Sequence, residues 1–445
     1  MEMCSVGGYE EVGKNMTAVK VGEDVFIFDC GFYLPGIIEL QEHGEQNYTL
    51  SSLRRVGGVP DDRVLDKLGW TKKVKAIFIS HAHLDHVGGL SFLIHRYPNV
   101  PVYATPFTVA VFKSLISDVG INVTNPIKTV QSNSVSKIKG TNCEIEFIHT
   151  THSTLDCSLI SLSTPEGKFF YSLDSKFDDA PTFGEKTNEK RLKELGSENV
   201  IAAVMDTLYA SKETSNGTET DAKKMLEEAF SKVKDKNSAF FVTTFSSHIE
   251  RLNNIVNLAK KTKREIVFLG RSLIKYVDCA TKIGKCPFRK DIKMMKYRRQ
   301  INSFLSKVNK DRGRYLVVCT GHQGEEGSIL ERISREQTPF QFRSGDSLIF
   351  SSSVIPTEVN IASRAKLDKK LESLGVVLYK NVHVHGHGSQ ENKKRLLNYI
   401  KPKHVIPAHG NRDQEKPLIE VAREFGFELG KTSHLVLNGE VLKLN

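Results

Sequence analysis

No stretch of the 445 residues approaches the roughly 18 consecutive apolar positions of a membrane span, so neither a membrane-spanning helix nor a membrane partner is expected. Cysteine pairs at metal or redox spacing are missing too. The seven cysteines (Cys4, Cys30, Cys143, Cys157, Cys279, Cys286, Cys319) are odd in number and scattered, with no Cys-x-x-Cys pair. That argues against a disulfide framework, a redox dithiol and a closed structural zinc site, and fits a reducing, cytoplasmic interior. The opening Met1-Glu2-Met3-Cys4 has no basic flank followed by an apolar run, so no secretory leader is expected. Repeats and low-complexity tracts are absent. At 39% hydrophobic and 26% charged residues the chain has a globular composition, and at about 150 residues per domain it holds two or three domains.

Acidic residues are in deficit, 52 against 63 basic ones, and the net +11 is unevenly spread. Between Lys282 and Arg314 stand Lys282, Lys285, Arg289, Lys290, Lys293, Lys296, Arg298, Arg299, Lys307, Lys310, Arg312 and Arg314, opposed only by Asp291 and Asp311. A single charge run usually marks a solvated helical face. Concentration of nearly the whole surplus in one segment points instead to a track for a polyanion.

Met16–Val21 and Val25–Asp29 flank Gly22-Glu23-Asp24 and read as a hairpin. The polar stretch 32–62 reads as a long surface loop, and Lys75–Ile79 as a buried strand. Further strands are expected at Glu144–Ile148 and Lys168–Leu173. From Ile201 the rhythm changes to alternating strands and helices: Ile201–Met205, Asp221–Val233, Ala239–Thr244, Ile249–Lys261 and Ile266–Leu269, continuing through Tyr315–Cys319 and Ser347–Phe350. That alternation predicts a parallel α/β unit. From about Leu371 the earlier style returns, with Val376–Val382, a His/Gly loop, helix Gln390–Ile400 and strand His404–Ile406. One domain is thus split by an inserted second one.

The strand ending at Ile79 opens into His81-x-His83-x-Asp85-His86. Imidazole and carboxylate suit zinc, and the lack of thiolates favours an open, catalytic site. On a tight turn these side chains diverge, so that His81 and His83 can serve one ion while Asp85 and His86 face a second. Four ligands do not complete two sites. Asp29, His152, Asp174 and His409, each at an expected strand end, supply the remainder, including a carboxylate able to bridge.

In this order, these residues resemble the metallo-β-lactamase superfamily, and the remaining motifs are similar to its β-CASP branch, most of all the ribonuclease J family, over nearly the whole chain. The resemblance implies an α/β fold: an αββα sandwich over 1–199 and 369–445, with an inserted β-CASP α/β domain over 200–368. It implies that His81, His83 and His152 hold one Zn2+, that Asp85, His86 and His409 hold another, and that Asp174 bridges them. Family motifs also fall on Asp29, Asp206 and His387, and the stretches Thr320–Glu325 and Phe350–Ser353 are similar to segments of the inserted domain. The match is looser around Phe245–Glu250. The chain ends soon after His409, as in the shorter archaeal members, which leaves a homodimer an open expectation.

The expected activity is metal-dependent hydrolysis of RNA phosphodiesters. Asp85 and Asp206 join His387 as catalytic candidates. His387, between two glycines, is the candidate acid for the leaving 3′-oxygen, and Asp206 the group that orients His387 or His409. Hydroxyls, imidazoles and backbone N–H groups at Ser351, Ser352, Ser353, His383, Val384, His385, Gly386 and His387 suit a terminal monophosphate. By resemblance, the substrate is single-stranded RNA with a 5′-monophosphate, degraded 5′→3′ in RNA decay and maturation, with endonucleolysis as a further activity. A cleavage-factor-type endonuclease is the nearest alternative. DNA-acting β-CASP enzymes usually carry an aliphatic residue where His409 stands, and diiron relatives a Glu where His83 stands. A small-molecule hydrolase would not require the inserted domain, and an inactive scaffold would be expected to have lost ligands.

Overall fold

A computed structural model of the chain describes residues 1–42, 48–215, 217–355 and 358–444. It divides into two units. One comprises Met1–Asp179, Glu185–Asn216 and Gly386–Asn445; the other comprises Ala180–Gly184 and Gly217–His385.

The first unit holds two sheets. The seven-stranded sheet runs in spatial order Val441–Lys443, Glu2–Gly7, Met16–Val21, Asp24–Phe28, Val74–Ile79, Val102–Ala104, Ile127–Thr129. The six-stranded sheet runs His404–Ala408, Val200–Asp206, Gly167–Ser172, Ser158–Thr164, Glu144–His149, Ser134–Lys137. Alternate residues of the two sheets meet in one core. Val19, Phe26, Phe28 and Phe78 from the first face Phe147, Ile160, Leu162, Phe169 and Tyr171 from the second. The intervening Ile27 and Ile77 are buried as well. Both faces of these strands are therefore covered, which explains their unbroken apolar runs. Helices Glu189–Leu195, Gln390–Ile400 and Arg412–Glu424 close over the outer face of the second sheet, packing Leu192, Leu396, Leu418 and Val421 on Ile148, Phe170 and Val405. The layers are those of an αββα sandwich.

In the second unit every pairing of the six-stranded sheet is parallel, in the order Ile292–Met295, Glu265–Leu269, Tyr315–Cys319, Phe240–Thr244, Ser347–Ser351, Val377–Tyr379. Its core joins Phe241, Val267, Val317, Leu348 and Phe350 to Phe304, Leu330, Phe340 and Leu371. Because the strands are parallel, their C-terminal ends share one edge. That is where Phe245–His248, Thr320–Gln323 and Ser352–Ser353 leave the sheet.

Two expectations need correction. The stretch 32–62 is not one loop, since it carries helices Leu34–Glu42 and Leu50–Arg55; residues 43–47 lie outside the described residues. The second helix is six residues long and held by a Thr49/Ser52 capping box, too short for a helical period to show. The strand Val200–Asp206 does not open the inserted α/β unit. It pairs in parallel with Gly167–Ser172 and with His404–Ala408, and so belongs to the sandwich. Its composition is that of any buried parallel strand, and only the pairing partner tells the two apart. Among the described residues no helix is long and apolar enough to cross a membrane.

Candidate metal centre

Parallel pairing delivers the site residues to strand ends on the sandwich. Asp29 follows Asp24–Phe28, His81 follows Val74–Ile79, and Asp174 follows Gly167–Ser172. Asp206 and Ala408 are register partners, which places His409 beside the end of the strand carrying Asp206. Asp29 (φ 57°) and His409 (φ 61°) both turn the chain in the left-handed region, an uncommon conformation for a residue with a side chain and one that clusters at functional sites. Gly31 permits the approach of the His-rich turn, because a Cβ there would meet the Asp85 carbonyl oxygen at 1.6 Å.

Two groups of donor atoms result, each lying within 4.8 Å of one another: His81, His83, His152 and Asp174, and Asp85, His86, Asp174 and His409. Asp174 belongs to both, and its two oxygens divide the work. Oδ2 lies 3.6 Å from His81 Nε2 and 3.4 Å from His152 Nε2. Oδ1 lies 3.3 Å from His86 Nε2 and 3.6 Å from His409 Nε2. His81 Nε2 and Asp174 Oδ1 are buried and have no hydrogen-bond partner in the protein. Buried polar atoms are otherwise almost always satisfied, so the fit to a metal is direct. Burial first, then the neighbouring rings, hold His81 and His83 well below the ordinary imidazole range. They are neutral, as a metal ligand must be. At Asp174 burial favours the neutral acid, but His409, His86 and His387 outweigh it and keep the carboxyl well below the usual range.

A layer of partners aims the ligands. Asp29 accepts hydrogen bonds from Ser80 N and Ser80 Oγ, both at 2.8 Å, and faces His86 Nδ1 at 2.8 Å. Asn15 Oδ1 faces His409 Nδ1 at 3.0 Å. The Gly386 carbonyl accepts from His152 Nδ1 at 2.7 Å, and a Cβ on Gly386 would crowd that ring at 3.0 Å. Such partners fix ring orientation and leave the opposite nitrogen for the ion. His387 lies beside the cluster, its Nε2 3.7 Å from Asp174 Oδ2. Its Nδ1 is 3.0 Å from Asp206 Oδ2, which also accepts from the buried Lys393 Nζ at 2.8 Å. Burial opposes a charge on His387, but Asp174 and Asp206 prevail and raise its pKa.

The remaining candidates lie in the second unit, apart from Gly386 and His387. Ser351 is fully buried and its hydroxyl is committed: it accepts from Arg251 Nη1 at 2.9 Å and donates to the Val382 carbonyl at 3.0 Å. Ser352 Oγ is buried without a hydrogen-bond partner, as are both ring nitrogens of His322. The Ser353 carbonyl accepts from Gln323 Nε2 at 2.9 Å, tying this run to the Thr320–Glu325 stretch. Val384 is buried, and the His383 and His385 rings are 5.5 Å apart. In the basic segment, Lys293 and Arg314 pair with Glu265, and Arg312 pairs with Asp346. Lys296, Arg298 and Arg299 are exposed around the 59% exposed ring of Tyr297.

Asn15, Lys393, Glu219 and Arg251 were not among the residues the sequence singled out. The first two are isolated polar residues with no motif spacing; Lys393 stands in the first turn of helix Gln390–Ile400, beyond the loop that carries His387, and nothing in its sequence setting marks it.

Three family descriptions match the chain: "Metallo-beta-lactamase superfamily" over residues 9–172, "Ribonuclease J, beta-CASP domain" over 237–366, and "Zn-dependent metallo-hydrolase RNA specificity domain" over 377–430. Ribonuclease J of Pyrococcus abyssi is 37% identical over the whole chain and 97% of that relative's length. Ribonuclease J of Methanocaldococcus jannaschii is 35% identical over 99% of the chain and 98% of its own. Ribonuclease J 1 of Streptococcus pyogenes is 30% identical, the match spanning 74% of its length. A crystal structure of a protein of unknown function from Enterococcus faecalis superposes with a TM-score of 0.65 at 15% identity, covering 99% of each chain, and shares the fold.

Proposed function

The chain belongs to the ribonuclease J family and is a metal-dependent ribonuclease; we propose that it uses two zinc ions to degrade single-stranded RNA 5′→3′ from a 5′-monophosphate end. The observation that carries the two-ion reading is the division of Asp174, one oxygen toward His81 and His152 and the other toward His86 and His409.

His81, His83 and His152 would hold one ion, Asp85, His86 and His409 the other, with Asp174 between them. Bound there, the pair would supply a water of lowered pKa and neutralise charge developing on the phosphate. His387 carries the proton for the leaving 3′-oxygen on Nε2, while Asp206 fixes Nδ1 and Lys393 fixes Asp206. Ser352, His322 and His383 form the pocket for the terminal phosphate, and the face around Lys296, Arg298 and Arg299 contacts phosphates further along the strand. The second unit, Ala180–Gly184 with Gly217–His385, is the candidate for the inserted domain that the resemblance implies over 200–368.

The test compares one RNA bearing a 5′-monophosphate, a 5′-triphosphate or a 5′-hydroxyl, labelled at either end, with and without chelator. Fast release of 5′-terminal mononucleotide from the monophosphate form alone, abolished by chelation and restored by zinc, is expected. Equal rates on all three, with internal fragments first, would make the enzyme an endonuclease.

A further inference from the structure

Behind the C-terminal edge of the second unit's sheet lies a fully buried ion pair that the hydrolytic chemistry does not use. Arg251, on helix Ile249–Lys261, is 0% exposed and is held by Glu219: its Nη2 meets Oε2 at 2.8 Å and its Nε meets Oε1. The third nitrogen, Nη1, points the other way. Of its two hydrogens one goes to Ser351 Oγ at 2.9 Å, and the other is shared between His383 Nδ1 at 3.1 Å and the more distant Ser351 carbonyl at 3.3 Å.

A guanidinium has only donors. At 3.1 Å a hydrogen bond to His383 Nδ1 requires a lone pair on that nitrogen, so the ring proton sits on Nε2. A buried pair of this kind is weak evidence for stability, because its Coulomb gain is set against desolvation. Its specific output here is the orientation and tautomer of one histidine and the immobilisation of one serine. Glu219 fixes two sides of the guanidinium, which leaves the direction of Nη1 little freedom.

We propose that Arg251, clamped by Glu219, is a positioning residue for recognition of the RNA's 5′ end: it locks His383 as a neutral Nε2–H donor directed to the terminal phosphate. This rests on the reading that His383 belongs to the 5′-monophosphate pocket. A donor with a fixed proton suits a phosphate oxygen, whereas an Nδ1–H tautomer would present that oxygen with a lone pair.

Two measurements test it. The first is the nitrogen spectrum of 15N-histidine-labelled wild-type protein, with His383 assigned by its loss in His383→Asn. A lone-pair-bearing Nδ1 and a protonated Nε2 are expected. The second is the ratio of kcat/KM on 5′-monophosphate over 5′-hydroxyl RNA in the double variant Glu219→Gln/Arg251→Met, which removes the donor without leaving an unpaired buried charge. The ratio should fall by about tenfold, the scale of one hydrogen bond to a charged group, and the His383 spectrum should lose its single-tautomer signature. A proton on Nδ1, or an imidazolium, in wild-type His383 overturns the proposal while leaving the pocket reading intact. The expected tautomer together with equal wild-type rates on the two RNAs overturns the pocket reading and removes the assigned ligand. An unchanged ratio in a folded double variant also overturns the proposal.

Discussion

His387 Nδ1 lies 3.0 Å from Asp206 Oδ2, so this ring beside the His/Asp cluster is tethered at its far nitrogen. This leaves Nε2 directed at Asp174, 3.7 Å away. His387→Ala should lower kcat by about 10² to 10⁴, the range for a lost general acid, with metal content and RNA affinity unchanged. Asp206→Asn should cost about 10–100-fold, since it disturbs the ring only through its tether and leaves Lys393 unpaired. A His387→Ala enzyme with wild-type kcat would remove His387 from the chemistry.

Asp174 ties the two ligand groups together, and the variants should separate accordingly. Asp85→Ala, at a partly exposed position, should lower bound zinc from two ions to one and abolish cleavage with little change in Tm. Asp174→Asn should empty both positions. Zinc measured per chain by atomic emission, beside melting curves, checks this. Full activity in Asp85→Ala would refute the two-ion reading.

Much of this site was legible in the sequence because chemistry and spacing coincide in it. His81, His83, Asp85 and His86 lie on one turn, so their convergence is local. His152, Asp174 and His409 were legible as polar residues at strand ends, although nothing local says that the strands ending there are neighbours. What sequence could not supply was pairing. Val200–Asp206 has the composition of any buried parallel strand, and only its register with His404–Ala408 places it in the sandwich. Asn15 and Lys393 act through side-chain contacts across 394 and 187 positions respectively, beyond the reach of any periodicity. The basic segment was legible as charge but not as surface. Asp346, outside the segment, pairs with Arg312, and Glu265, also outside it, is shared by Lys293 and Arg314.

The second unit should lose stability as pH rises toward neutrality, through Glu250. Burial and the nearby Glu219 push its carboxyl up to about 7, against hydrogen bonds from Thr182 and Phe183 that favour the anion. The folded pKa exceeds the unfolded one, so the contribution is complete below about 4.5 and is lost as pH climbs through about 7. Glu250→Gln keeps an acceptor for Thr182 and Phe183 but cannot ionise. It should match the wild type near pH 4.5 and exceed it at pH 8 by up to about 3 kcal/mol. Urea midpoints at the two pH values decide the matter. An equal advantage at both would mean that the residue acts by packing and not by its proton.

The face around Tyr297 should contribute affinity without choosing the end. Lys296, Arg298 and Arg299 are exposed and carry no ion pair among the described residues, and Lys296 Nζ stands 5.6 Å from the Tyr297 ring centroid. Unpaired cations around an exposed aromatic ring suit single-stranded RNA, with phosphates on the charges and a base on the ring. Replacing Lys296, Arg298 and Arg299 by Gln should weaken binding of long RNA and flatten its salt dependence by about 0.7 in slope per lost phosphate contact. Replacing Tyr297 by Ala should cost about 1–3 kcal/mol of affinity with the slope unchanged, since stacking releases no counterions. The preference for a 5′-monophosphate should survive both changes. Lys293→Gln serves as the internal control, because that lysine is already ion-paired with Glu265. If Lys293→Gln flattens the slope as much as the triple change does, the dependence follows net charge, and the Tyr297 face is not a docking surface.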